Sequence, residues 1–236
     1  RFLLDDLRDA DGRLLRSWQA GRAHLLAYAE DHAALLAALV TLAELDDLAW
    51  LDDARSVADA LVERFGRPGG GFFTTAADAE ALIARTLDLQ DNATPSANGL
   101  AADALLRLAD LTGEARHREA ALGALRLSAS VAVEHPLSFA QTLVALERAQ
   151  TPTLEVALVG DADGFEAALA SRLLPATVTV RARRDDDATR SPLLADRPSV
   201  DGRATAYVCE GGTCRLPVTD VDAMVAEIEA ILARRR

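Results

Sequence analysis

The sequence contains no lysine, so arginine supplies all of the positive charge apart from that of four histidines. The 25 basic residues stand against 37 acidic residues, which gives a formal net charge of −12. A chain with this excess of negative charge repels nucleic acid and anionic membrane surfaces. We therefore expect neither nucleic acid nor a membrane among its partners.

Cysteine, aromatic residues and long apolar runs are also scarce. Two cysteines exclude a fold built on a disulfide framework and favour a reducing compartment. No apolar run reaches the roughly 18 residues that span a bilayer. Half of the chain is hydrophobic but only 4% is aromatic, which indicates aliphatic cores. We expect a cytoplasmic globular protein.

The histidines do not form a recognisable metal-binding pattern. His24 and His32 are eight residues apart, which is not the spacing of ligands on adjacent helical turns, and His117 and His135 lack acidic or cysteine partners at a known ligand interval. We expect no bound metal and no cofactor.

Apolar residues recur at helical spacing through most of the first 150 residues. The pattern predicts helices over residues 24–45, 51–65, 98–113, 114–132 and 137–149. Helix pairs joined by polar loops at a spacing of roughly 40 residues are typical of a helical toroid or solenoid, and a plain bundle is the alternative. Residues 1–150 are thus predicted to be part of an α/α toroid of antiparallel helix pairs.

The pattern changes after residue 150. An aliphatic run at 154–160 and a β-branched run at 176–182 predict two strands, and residues 164–174 between them predict a helix. A third strand at 203–210 and an amphipathic helix at 221–233 follow. The fold class expected for the whole chain is therefore mainly α, with a small α/β unit over residues 151–236.

Several stretches occur in an order that resembles a known family. GGGFFTT, then RTLDLQDNATPSANG, and finally TAYVCEGGTC resemble the C-terminal part of the YyaL-like proteins, the family that includes spermatogenesis-associated protein 20. The resemblance implies a helical toroid similar to six-hairpin glycosidases and sugar epimerases, preceded by a thioredoxin-like domain. Neither that domain nor the early helices of the toroid are found here, so we expect an incomplete ring, completed by an N-terminal thioredoxin-like domain or by a second chain.

The loop DNATPSANG and the residues before it carry the first group of candidate site residues. Asp88 and Asp91 are candidate catalytic carboxyls, because acid–base work on a sugar needs two of them. Three further residues are candidates for substrate binding, namely Arg85, Asn92 and Asn98. The alternative is structural, since Asp, Asn, Thr and Ser also cap helices and form turns, and Ser96 is placed to cap the helix that follows.

A second group interrupts the apolar pattern near the start of the first long helix. Asp31 and His32 are candidate catalytic residues, and Tyr28 and Glu30 are candidates for substrate binding. His32 stands where family members often carry tyrosine, which leaves its role open. The alternatives are a histidine that only packs and acidic residues that face solvent.

Cys209 and Cys214 enclose the flexible sequence EGGT. Such a loop lets two sulfur atoms meet as a disulfide or as half of a zinc site, but the neighbouring sequence supplies no further zinc ligands. A structural or occasionally oxidised pair is the preferred interpretation.

Two functions from different classes remain open. The first is a helical toroid that binds a carbohydrate-like small molecule, as a hydrolase or an epimerase. The second is a noncatalytic interaction module that accompanies a thioredoxin-like domain on a separate segment. The sequence alone does not decide whether the chain is an enzyme.

Overall fold

The computed structural model describes residues 1–81, 83–184 and 186–235, which fall into two compact units. Unit 1 comprises Arg1–Ala38, Ala54–Leu106 and Arg116–Leu146, and unit 2 comprises Leu39–Asp53, Arg107–Ala115 and Glu147–Arg236. The domain boundary expected between residues 150 and 151 stays a prediction.

Helices dominate the secondary structure. In chain order they are α1 (Phe2–Asp5), α2 (Ala29–Leu45), α3 (Trp50–Phe65), α4 (Ala97–Thr112), α5 (Ala115–Glu134), α6 (Ala140–Gln150), α7 (Asp163–Ala170), α8 (Asp187–Arg190) and α9 (Val221–Arg234). The strands are β1 (Leu15–Gln19), β2 (Arg22–Leu26), β3 (Leu154–Val159), β4 (Thr177–Ala182), β5 (Thr205–Glu210) and β6 (Thr213–Cys214), and short 3-10 turns cover Pro136–Ser138 and Pro192–Leu194.

Unit 1 has an aliphatic helical core. Leu36 of α2, Leu61 of α3 and Leu105 of α4 are fully buried in it. Burying each such side chain contributes roughly 1.5–3 kcal/mol relative to leaving it exposed. The scarcity of aromatic residues therefore does not prevent a dense core.

A β-hairpin precedes α2, and it corrects the predicted helix over residues 24–45. Strands β1 and β2 pair antiparallel, and the turn residues Ala20 and Gly21 both have positive φ, which is the backbone of a type I′ turn. The helix begins only at Ala29, where Asp31 accepts the backbone N–H of Tyr28 at 2.7 Å, as in half of a capping box. The prediction was wrong for residues 24–28 because residues 22–26 pair with β1 instead.

Unit 2 contains the α/β part. Strands β3 and β4 are parallel and are connected through α7, while β5 pairs antiparallel with β3 and β6 pairs with β5. One face of this sheet, with Val156 and Val208 at its centre, packs against α7 and α9. Helix α7 ends at Ala170 rather than at the expected residue 174.

These observations confirm the predicted fold class of a mainly α protein with a small α/β unit. The arrangement of the helices as part of a toroid stays a prediction. No helix in the described part of the chain combines the length and the apolar character that crossing a bilayer requires. Within residues 1–81, 83–184 and 186–235, no group of three or more metal-ligating side chains is placed to hold a metal ion.

Candidate functional site

Asp91 ties two helix starts together. Its Oδ1 accepts the backbone N–H of Ser96 at 2.8 Å, just before α4, and its Oδ2 accepts the backbone N–H of Gln141 at 2.8 Å, in the first turn of α6. Orphan N–H groups at a helix start are stabilised by such carboxylate acceptors. Both oxygens of Asp91 thus have a structural function.

The neighbouring side chains of Asp88, Ser96 and Asn98 also bond to the backbone. The carboxylate of Asp88 accepts the N–H of Ala97 at 2.8 Å, and Ser96 Oγ accepts the N–H of Gly99 at 3.2 Å. Asn98 is buried, and its side-chain amide donates to the carbonyl oxygens of residues 72 and 88 at 2.9 Å each. The loop is therefore a capping network at the start of α4.

Arg85 is held by backbone oxygens. Its guanidinium donates to the carbonyl oxygens of Thr75 and Arg64, and it lies 4.2 Å from the ring centre of Phe73. These contacts fix the segment before the capping network against the end of α3. They give Arg85 a structural function as well.

A surface cavity of about 400 Å³ lies beside the capping network. Its polar wall comes from Asp88, Gln90, Asn92 and Ser128, and its apolar wall includes Leu127. Its volume falls within the range of about 300–1,000 Å³ that is usual for small-molecule sites. Two of the predicted site residues, Asp88 and Asn92, line this cavity.

Gln90 and Ser128 are the polar lining residues that the sequence interpretation missed. A signal for Gln90 was available, because it lies midway between the predicted site residues 88 and 92, and side chains two apart in an extended segment share a face. Ser128 is buried in α5, and nothing in its sequence surroundings distinguishes it from a core position.

The second predicted group surrounds an arginine. Arg16 of β1 contacts Glu30 at 3.0 Å and Asp31 at 3.7 Å, and its guanidinium lies 4.5 Å from the ring centre of Tyr28. Since Asp31 also caps α2, this cluster fastens the hairpin to the start of that helix. The side chain of His32 points elsewhere.

His32 is buried and lines a small cavity of about 40 Å³, which has room for one or a few waters. Its Nδ1 lies 3.0 Å from the carbonyl oxygen of Tyr28, so Nδ1 carries the proton and donates it. Burial lowers the pKa of His32, and the nearby Arg64 and Arg8 lower it further, against the opposing effects of that hydrogen bond and of Asp31. The imidazole is neutral at pH 7.

The two predicted groups line different cavities. His32 belongs to the small one, together with Arg64 and Asp78, whereas Asp88 and Asn92 belong to the larger one. A mechanism that uses two carboxyls needs both to face one bond. Among the described residues, the wall of the larger cavity includes a single carboxylate, that of Asp88, together with amide and hydroxyl groups.

The two cysteines lie in unit 2, whereas the residues that line these two cavities belong to unit 1. The cysteines form a disulfide that joins β5 and β6.

No family model matches the chain. It is similar to spermatogenesis-associated protein 20 of Homo sapiens, with 29% identity over 240 residues that cover 93% of the chain and 30% of that protein. The protein of the same name from Mus musculus is 28% identical with the same coverage. An uncharacterized protein of Caenorhabditis elegans is 25% identical over 206 residues, which cover 85% of the chain and 28% of that protein.

The chain thus spans about 30% of the length of the curated relatives it matches. The relatives support the family resemblance that the sequence motifs predict, and their names assign no substrate or reaction.

Proposed function

Because the chain is similar to spermatogenesis-associated protein 20 over nearly all of its own length, we propose that it forms part of a longer protein of that kind and binds a carbohydrate-like small molecule. The observation that carries the proposal is the cavity of about 400 Å³ beside the capping network. The resemblance supports it through the helical toroid that it implies, which would be incomplete in this chain.

The wall of the cavity suits a neutral sugar. Gln90, Asn92 and Ser128 supply donors and acceptors for hydroxyl groups, and Leu127 supplies an apolar surface for the C–H face of a ring. The carboxylate of Asp88 accepts hydroxyl donors but repels anions. We therefore favour neutral sugars over sugar acids as ligands.

Binding is the function that the geometry supports best, ahead of hydrolysis. Asp91 uses both carboxylate oxygens on backbone N–H groups, and Asp88 uses one. An acid–base pair across a glycosidic bond would have to break these caps. Epimerisation needs a base beside a C–H bond, and the carboxylate of Asp88 in the cavity wall is the group that would serve as that base.

Thermal unfolding in the presence of a panel of sugars and sugar acids tests this proposal. A neutral sugar at about 100 times its Kd stabilises the folded chain by about 2.7 kcal/mol, which raises the Tm by about 5–10 °C. We expect this shift to be lost in Asn92→Ala and Gln90→Ala and retained in Gln150→Ala, whose exposed side chain serves as the matched control.

Two outcomes would contradict the proposal. One is the absence of any shift across the panel. The other is a shift that survives Asn92→Ala and Gln90→Ala but disappears in His32→Gln, since that result would place the ligand in the smaller cavity.

A second candidate function is an interaction module, and an exposed apolar surface favours it. Phe2, Leu3 and Trp18 are 47%, 46% and 42% exposed, and the rings of Phe2 and Trp18 lie 5.3 Å apart. Beside them is a largely apolar groove of about 290 Å³, lined in part by Leu7 and Leu15. Exposed apolar patches of this kind mark protein contacts.

The proposed occupant is a thioredoxin-like domain, which the family resemblance places before the helical region. Sedimentation velocity of the chain mixed with such a domain from a full-length relative measures the contact. We expect a heavier species that Leu3→Glu abolishes and Leu216→Glu, a control at an exposed leucine of unit 2, preserves. Self-association or no association would each contradict this assignment.

A further inference from the structure

The disulfide of unit 2 presents one sulfur to solvent and hides the other. Cys209 of β5 is fully buried, whereas Cys214 of β6 is exposed. The two residues face each other in the strand pairing, and Gly211 and Gly212 form the turn between the strands. A reagent approaching from solvent therefore reaches the sulfur of Cys214 first.

A guanidinium lies against both sulfur atoms. Nη2 of Arg197 is 3.3 Å from Sγ of Cys209 and 3.2 Å from Sγ of Cys214. Its Nη1 donates to the carbonyl oxygen of Leu193, and the ring of Tyr207 lies 5.7 Å from the guanidinium carbon. These contacts aim a positive charge at whichever sulfur becomes negative when the bond opens.

Burial strengthens this electrostatic effect. It lowers the pKa of Arg197, but an arginine stays protonated in proteins. A charge withdrawn from water interacts more strongly with a neighbouring thiolate than an exposed charge does. Cysteine thiols beside such cations have lowered pKa values and exchange readily.

The hairpin that carries the cysteines is also held by contacts other than the disulfide. The N–H of Gly212 donates to the carboxylate of Glu155 on β3 at 3.1 Å, and the N–H of Arg215 donates to the carbonyl oxygen of Val208 at 3.0 Å. Neither bond involves a sulfur atom, so opening the sulfur–sulfur bond removes no partner from them. The two thiols would thus stay close enough to pair again.

We propose that Cys209 and Cys214 form a reversible thiol–disulfide exchange site, in which Cys214 is the sulfur attacked and Arg197 positions and stabilises the thiolates. The co-reactant is a cysteinyl thiol, of which glutathione is the probe. The site lies outside the sugar-binding cavity, so it does not depend on the function proposed for unit 1.

The exchange balances in two steps. A thiolate attacks Sγ of Cys214 and forms a mixed disulfide, and the electron pair of the broken bond leaves on Sγ of Cys209 beside Arg197. A second thiolate then attacks the sulfur of the first thiol and releases the Cys214 thiolate. Two thiols become one disulfide, and the protein gains two electrons and, as its thiolates protonate, two protons.

Equilibration of the whole chain in glutathione redox buffers, followed by alkylation and mass measurement, tests the proposal. Since Arg197 favours the reduced form, Arg197→Gln should shift the equilibrium about tenfold toward the disulfide, or about 30 mV, and slow its reduction. Arg197→Lys should retain most of the wild-type behaviour. Arg203→Gln, which removes the same charge at an exposed position of unit 2, should change neither quantity.

Single-cysteine variants give a readout that does not depend on fold stability. In Cys209→Ser, the rate of alkylation against pH should show a Cys214 thiol with a pKa below its usual value of about 8.5, and adding Arg197→Gln should return it to that value. In Cys214→Ser, alkylation of the buried Cys209 should be at least about tenfold slower than alkylation of Cys214 in Cys209→Ser. An unshifted Cys214 pKa, no effect of Arg197→Gln, or a glutathione adduct on Cys209 would each overturn the proposal.

Discussion

Asp91 is the residue whose structural and functional roles are easiest to separate by experiment. Asp91→Ala removes the acceptor of two backbone N–H groups, so we expect the free energy of unfolding to fall by about 2 kcal/mol. Asp91→Asn keeps one acceptor oxygen and should lose about half as much. Urea denaturation measures both changes, with Asn92→Ala as an exposed neighbour expected to cost less than about 0.5 kcal/mol.

An unchanged free energy of unfolding in Asp91→Ala would contradict the capping role. If sugar binding were lost at the same time, Asp91 would instead be assigned a role in sugar binding.

His32 predicts a specific dependence of stability on pH. Its folded-state pKa lies below the ordinary value of 6.5 because of burial, so the unfolded chain binds more protons than the folded chain as the pH falls below about 7. The stability contributed by neutral His32 is therefore fully present above pH 6.5 and is lost as the pH falls toward the folded-state pKa. Urea denaturation at pH 7.5, 6.5 and 5.5 should show a smaller decrease in His32→Gln than in the wild type.

His135→Gln is the matched control for this pH effect, because His135 is exposed and its replacement should leave the wild-type decrease in place. Equal decreases in His32→Gln and the wild type would show that other groups cause the pH dependence.

At the scale of single residues, the sequence predicted the helix cap formed by Ser96 but not the one formed by Asp91. Ser96 could be identified as a cap because its partner lies three residues away, within the same helix start. Asp91 could not be paired with Gln141, 50 residues later, because only the packed structure brings them together. The cap formed by Asp31 was predictable, because its spacing from Tyr28 is that of a capping box, while its catalytic role stays a prediction.

At the scale of secondary-structure elements, the glycine loop at 69–71 packs so closely against α5 that even an added methyl group has almost no room. Gly70 has φ of +104°, and a Cβ built on it would lie 2.5 Å from the carbonyl oxygen of Gly123. Gly70→Ala combines a backbone conformation unfavourable for L residues with a steric clash, so we expect a loss of about 3 kcal/mol in the free energy of unfolding.

Gly212→Ala separates these two effects. Gly212 also has positive φ, +81°, but a Cβ on it meets nothing within 4 Å. Denaturant unfolding should show a loss of about 1 kcal/mol there, from the backbone alone. Losses of equal size in the two variants would mean that the contact between Gly70 and Gly123 adds no cost.

The long elements were predictable and the short hairpin was not. Helices α3, α4 and α5 show sustained helical spacing, and the β3–α7–β4 unit shows a clear switch to β-branched runs. The hairpin of β1 and β2 has alanine at the first turn position instead of the asparagine or aspartate that signals such turns. Leu25 and Leu26 then fit the apolar spacing of the next helix, which extended the predicted helix backward.

For the molecule as a whole, compact units and sequence segments do not coincide. Unit 2 includes residues 39–53 and 107–115, which precede the change of pattern at residue 151. A composition change marks where strands begin along the chain, but spatial clustering depends on contacts between distant segments. The ring that the resemblance implies stays a prediction, since the chain spans about 30% of the length of its relatives.

Reduction of the disulfide should lower the free energy of unfolding of the chain but leave it folded. The bridge closes a loop with a sequence separation of only 5, so the chain-entropy model gives it about 2 kcal/mol. Domains usually have 5–15 kcal/mol of stability, so the reduced chain should remain folded, with a Tm lower by about 4–8 °C. Thermal unfolding with and without a phosphine reductant measures this shift.

The double variant Cys209→Ser with Cys214→Ser should already show the lower Tm and should not respond to the reductant. Loss of the far-UV helical signal at 25 °C on reduction would contradict the prediction, because the bridge would then be required for folding and could not cycle between its two states in a folded protein.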